Sequence, residues 1–240
     1  MTRVAPLRDQ CRRGGSEWAI IEKEPIELSE RRRISYGARI HRPEQMKAQH
    51  MNPLLRLLAE RRSVKPAMMS EPGPSPSELD EILSIAARVP DHKALAPWRF
   101  IVFEGDARLR FGEVLAKTLL AEEKEPPSEV RLDTERARFA RTPTVVAVIS
   151  RVVENPGAPE WEQILSAGAA TYNLCLAANA MGFGTNWVTG WYSFSPGIAK
   201  ALGLAAHERV AGFVHIGTAK ERQEERKRPA ISEIVTRWQG

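Results

Sequence analysis

Arg61, Arg62 and Ser63 stand side by side, with Lys65 two residues on. Two guanidinium groups offer planar forks to paired oxygens, a hydroxyl adds a neutral donor and an ammonium adds a point charge. That set suits an oxyanion such as a phosphate. A plainer role is also open, because cations in the last turn of a helix offset its macrodipole, and the segment by itself favours that role.

Three other stretches could carry chemistry. In "RVPDHKALAPW", residues 88–98, two prolines bracket Asp91, His92 and Lys93 between a helix and a strand, a junction where functional loops are common. His92 could exchange protons at neutral pH or be an ordinary polar loop residue. No Ser or Cys lies in a nucleophile motif, and His41, His50, His207 and His215 show no ligand spacing, so no metal site is expected. "MGFGTNWVTG", 181–190, offers Gly182-x-Gly184, but Trp187 stands where a third glycine belongs. The segment also leads from a helix into a strand, the reverse of a dinucleotide-binding turn. The charged tail from 219 ends in Arg228-Pro229 followed by Ile231, Ile234 and Val235, three apolar residues suited to docking against something.

The elements that must position these residues follow from caps and periodicity. Asn52 can cap a helix with Pro53 at its first position. Leu54, Leu55, Leu57 and Leu58 are its expected buried stripe, and Pro66 its end. Ser75-Pro76-Ser77-Glu78 reads as a capping box, opening a helix that Pro90 closes. Strands are expected at 98–103, 144–150, 185–189 and 209–217. The second is an unbroken apolar run suited to the middle of a sheet. Helices are expected at 106–121, 128–140 (charged and exposed), 160–181 and 195–202, Gly182 stopping the third. Strands separated by helix-length connections make an α/β or α+β domain.

Composition narrows the function classes. The chain of 240 residues carries a net charge of +5, yet residues 1–50 alone hold eleven basic against seven acidic residues. The rest is nearly neutral, so the high pI reports an N-terminal arm rather than a basic face on the fold, and nucleic-acid or anionic-membrane binding would have to use that arm. The arm has poor periodicity and reads as disordered; Met46 and Met51 just before the first helix make an internal natural start an open reading. The longest apolar strand-like run is far short of a membrane span. Cys11 and Cys175 form no disulfide framework, and with no signal-like segment a cytoplasmic location is expected.

Together and in order, "RRS" (61–63), "RVPDHKALAPWRFIVFEG" (88–105), "WEQILSAGAA" (161–170), "AANAMGFGTNWVTG" (177–190) and "VAGFVHIGT" (210–218) resemble the FMN-dependent nitroreductase family, in its short YdjA-like branch. The resemblance runs from about 52 to 238 and leaves 1–50 without a counterpart. It implies a mixed β-sheet wrapped by helices over residues 51–240 and a homodimer with FMN at the interface. It implies that Arg61, Arg62 and Ser63 contact the flavin, its phosphate included, and that Lys65 sits near the flavin N1/O2 edge. Arg88 and His92 would reach FMN from the other subunit. Trp187, Val188 and Thr189 would line the flavin. Ala177, Ala178, Asn179, Ala180, Met181 and Gly182 match a stretch assigned to nicotinamide, and Arg228 matches a further phosphate contact. The implied reaction is ping-pong transfer from NAD(P)H through FMN to a nitroaromatic, a quinone or another small acceptor. No catalytic residue of the protein itself is implied, since the cofactor carries the chemistry. Dehalogenation or flavin fragmentation are alternative reactions of such a flavoprotein.

Overall fold

The computed structural model describes residues 52–155 and 157–240; the expectations for the arm 1–50 lie outside the described residues. The first helix, α1 (Pro53–Glu60), begins where the Asn52 side chain accepts the Leu54 N–H at 2.9 Å. A two-residue strand β1 (Met69–Ser70) follows, then α2 (Pro76–Ala86), opened by a complete Ser75/Glu78 capping box. Next come β2 (Trp98–Glu104), α3 (Asp106–Glu122), α4 (Glu129–Arg136), β3 (Thr144–Arg151) and α5 (Glu160–Ala180). The chain finishes with β4 (Gly184–Val188), α6 (Pro196–Ala201), β5 (Glu208–Ala219) and a single turn α7 (Ile231–Ile234).

β5 is the hub of the sheet. One edge pairs with β3, and the other with β4 over Phe213–Gly217 and then with β1 over Thr218–Ala219, while β2 closes the far side of β3. The apolar run at 144–150 is therefore interior, with every residue of it buried. Helices wrap the sheet as the resemblance implied. Every pairing among the described residues is antiparallel, where the resemblance implied a mixed sheet.

Strand alternation divides the core into two layers. Val146, Val148, Val214 and Ile216 face α2 and α5, meeting Leu79, Ile82, Leu174 and Ala178. Val145, Ala147, Ile149 and Phe213 face the other way, onto Phe103, Phe111, Leu115, Phe139 and Tyr192. Burying such side chains contributes about 1.5–3 kcal/mol each. His215 lies in this aromatic layer, 2% exposed, its Nδ1 2.9 Å from Thr142 Oγ1.

Three local expectations need correction. The charged stretch 128–140 is helical only to Arg136, and Leu132 and Glu135 are buried, Glu135 holding Arg138 at 2.5 and 2.6 Å. α2 ends at Ala86, before Pro90. The leucine stripe of α1 is not buried: Leu54, Leu55 and Leu58 are exposed, because α1 meets the protomer mainly through a few contacts with α5. The tail residues Ile231, Ile234 and Val235 are exposed as well. No helix among the described residues is long and apolar enough to cross a membrane.

Candidate functional site

α1 stops at Glu60, six residues before Pro66, because Arg61 turns into extended backbone (ψ 130°). The strand-like stretch that follows is pinned where the Val64 N–H donates to Thr185 O at 2.9 Å. Arg61 thus caps the helix, Arg62 and Ser63 lie beyond it, and no basic residue occupies its last turn.

Both arginines line a groove of about 410 Å³ between α1, the C-terminal turn of α5, the start of β4 and the residues after β5. Arg56, Arg61, Arg62 and Arg222 line it against Glu60 and Glu221, leaving it electropositive. The Arg61 guanidinium lies 5.7 Å from the Tyr172 ring centroid. Arg61 Nε and Arg62 Nη1 are buried with no hydrogen-bond partner among the described residues. A buried donor left unmet costs about 1–3 kcal/mol, so the groove fits an anion that supplies acceptors. The nearest carboxylate, on Glu225, stays 3.8 Å from Arg62 Nη1 and accepts instead from Arg228 at 3.1 Å.

Asn179 and Gly182 line the same groove, and Arg228 adjoins it through Glu225. Gly182, at φ +91°, ends α5 in the left-handed conformation that glycine tolerates. The Asn179 amide is committed to that turn, donating to Phe183 O at 2.8 Å. Ala177 and Ala178 are buried against the core, Met181 packs on the same cluster, and Ala180 is exposed. Ser63 and Lys65 are exposed and do not line the groove. Trp187, Val188 and Thr189 lie at the far end of β4, where the exposed Trp187 indole donates to Ala211 O at 3.2 Å over the bare face of Gly212.

Arg88 and His92 are elsewhere, in the loop that meets the N-terminal end of α5. The Asp91 carboxylate accepts the Leu95 and Ala96 N–H groups at 3.0 and 2.8 Å. Arg151 Nε donates to Ala96 O at 2.9 Å, and Ser166 Oγ donates to Pro90 O at 2.7 Å. This bracing holds Lys93, Ala94 and Ala96 at φ of 66°, 52° and 45°, conformations that cost a non-glycine residue about 1–2 kcal/mol each. His92 Nδ1 lies 2.7 Å from Glu162 Oε2 in the first turn of α5. Glu162 and Asn179 are seventeen residues apart on α5, or about 26 Å along its axis. One protomer therefore presents the expected residues as two separate clusters. No role was foreseen from sequence for Tyr172, Glu225 or Glu162; their contacts with Arg61, Arg62 and His92 span 70 or more residues, beyond any local spacing signal.

Cys175, also on α5, is no nucleophile. Burial pushes its thiol up to about 11, against weaker lowering by Thr185 and Arg61, so it stays protonated.

The model of the family described as "Nitroreductase family" matches residues 58–218. Over 164 residues the chain is 37% identical to YdjA of Escherichia coli strain K12, which carries a provisional NAD(P)H nitroreductase name; the match covers 68% of this chain and 87% of YdjA. A Haemophilus influenzae protein with a name of the same kind is 36% identical over 171 residues, covering 71% and 90%. Among solved structures, a nitroreductase-like family protein from Bacillus cereus superposes with a TM-score of 0.67 at 23% identity, covering 79% of this chain and 98% of that one. A provisional nitroreductase from Desulfovibrio desulfuricans, crystallised in complex with FMN, gives 0.60 at 22%, covering 78% and 98%.

Proposed function

The chain belongs to the nitroreductase family, and from that premise we propose that it is an FMN-dependent NAD(P)H oxidoreductase, passing two electrons to a nitroaromatic, a quinone or another small acceptor in a ping-pong cycle. The observation that carries this reading is the pair of guanidinium nitrogens, on Arg61 and Arg62, buried without a partner among the described residues. They fit the phosphate of FMN, whose oxygens would supply the missing acceptors. Arg228 adds positive charge beside them, and Ser63 a hydroxyl. Lys65 follows within the same extended stretch, suited to a cation at the flavin's N1/O2 edge. Trp187, Val188 and Thr189 continue the wall along β4. For nicotinamide, the stretch 177–182 offers an exposed edge at Ala180 and Gly182, since Ala177 and Ala178 are turned into the core. When bound, the flavin supplies the hydride chemistry; the protein's residues bind it, orient it and favour negative charge on it.

Assembly as a homodimer is supported by α5. Trp161, Leu165, Gly168 and Tyr172 recur at spacings of four, three and four along one exposed side, the seam of paired helices. A Cβ at Gly168 would meet nothing within 4 Å, so a second backbone can approach closely. Two α5 helices crossing antiparallel near that glycine would bring the Arg88/His92 end of one to the Arg61 end of the other. The two clusters then make one site, completed by both copies. The exposed leucines of α1 and the apolar tail residues add further surface for the partner to cover.

The test is purification followed by spectroscopy. A yellow dimer releasing about one FMN per chain, bleached anaerobically by NADPH or NADH and recoloured by a benzoquinone, is the expected result. A monomer that takes up no added FMN overturns the reading.

A further inference from the structure

The His92–Glu162 pair has a use that the family reading does not assign. A carboxylate only accepts hydrogen bonds, so at 2.7 Å from Glu162 Oε2 the His92 Nδ1 must carry a proton. The other ring nitrogen, Nε2, is then the exchangeable one, a lone pair in neutral imidazole and an N–H donor when protonated. Half of the His92 side chain is exposed, so Nε2 can exchange with water. The ring is also held in place. The loop bearing it is tied to α5 at Ser166 and to β3 at Arg151, and Asp91 locks its left-handed residues. Of the charged groups nearby, the Asp91 carboxylate is committed to Leu95 and Ala96, and the Lys93 ammonium lies toward Asn155 and Gly157. Glu162 is therefore the charge that pairs with the imidazole.

We propose that Glu162 is a positioning residue that fixes His92 as a proton donor, through Nε2, to the acceptor during its reduction. The inference rests on the oxidoreductase reading above and on the antiparallel meeting of α5 helices, which carries His92 to the partner's half of the site. Quinone reduction shows the balance: NAD(P)H + H⁺ + quinone gives NAD(P)⁺ + hydroquinone. The nicotinamide provides one hydrogen with two electrons. The remaining proton leaves Nε2 as its N–H bond breaks and an O–H bond forms on the quinone oxygen, and water reprotonates Nε2. The carboxylate that accepts from Nδ1 fixes the tautomer and orients the ring, so Nε2 is the nitrogen that meets the acceptor.

The experiment uses the holoenzyme with a water-soluble benzoquinone, timing the two half-reactions separately by stopped flow, together with imidazole ¹⁵N spectra of the flavin-free protein. In E162Q the oxidative half-reaction should slow about tenfold more than the reductive half. E162D should recover part of the difference, and H92Q should slow the oxidative half at least as much as E162Q. In the spectra, the wild-type His92 should carry its neutral-form proton on Nδ1, and E162Q should shift it toward Nε2. A wild-type tautomer mixture unmoved by E162Q, or an oxidative half-reaction as fast in E162Q as in wild type with flavin content and bleaching intact, overturns this inference alone. A wild-type protein without reducible flavin overturns the proposed function and this inference with it.

Discussion

Replacing Arg62 with methionine separates what the guanidinium costs the protein from what it gives the ligand. Arg62 Nη1 is buried without a hydrogen bond among the described residues, a state worth about 1–3 kcal/mol against stability. Its ion pair with Glu225 spans 3.8 Å to a carboxylate 58% exposed, which returns less than about 1 kcal/mol. R62M keeps the straight stem, so the ligand-free variant should be as stable as wild type or up to about 2 kcal/mol more stable, a rise in Tm of at most about 4–8 °C. With FMN the sign reverses. A charge-assisted hydrogen bond to phosphate is worth about 1.5–3 kcal/mol, so Kd should weaken by about 10–150-fold. At an FMN concentration one hundred times the wild-type Kd, wild type gains about 2.7 kcal/mol from binding, whereas a variant with Kd about 100-fold weaker gains about 0.4 kcal/mol. Calorimetric scans with and without FMN read both effects. A variant at least 1 kcal/mol less stable than wild type without FMN, or one that keeps the full FMN-induced shift, would refute the assignment of Nη1 as an unmet donor awaiting an anion.

Three further outcomes follow from the packing. Burial in the aromatic layer, with Arg138 and Arg141 adding to it, pushes His215 down to about 4. Because the unfolded imidazole titrates near 6.5, the unfolded state takes up the proton first; stability is full above about 6.5 and falls as pH drops toward 4, by up to about 3 kcal/mol. Urea unfolding of wild type and H215F at pH 7 and pH 4.5 should show this part of the acid sensitivity only in wild type. Leu165→Arg places a charge on the exposed seam of α5 and should yield a folded monomer by sedimentation, with wild-type helix content but little bound FMN; an intact dimer would displace α5 from the interface. Gly112→Ala should cost about 1–3 kcal/mol by overpacking, because the added Cβ would fall 2.0 Å from the Arg136 backbone oxygen where α3 meets α4; denaturant midpoints measure it.

Much of the framework was legible from residues a few positions apart. Asn52 and Ser75 cap the helices they were expected to cap, Gly182 turns left-handed at the end of α5, and the apolar run at 144–150 is interior to the sheet. Caps and apolar runs are local devices, satisfied by neighbours in the chain, so their signals survive in the bare sequence. The clustering of Arg61, Arg62 and Ser63 was visible for the same reason. That the two arginines line a groove was not, because it depends on Val64 pairing with Thr185, more than a hundred residues away. The α1 leucines mark the converse limit. Their periodicity announces an apolar face but not what covers it, and tertiary packing leaves that face open on the protomer. Glu162 stood in the sequence only as part of the "WEQILSAGAA" piece of the resemblance, with no role given to it. Only the fold, by bringing the loop of His92 onto that turn, gives it a partner and the imidazole a defined tautomer.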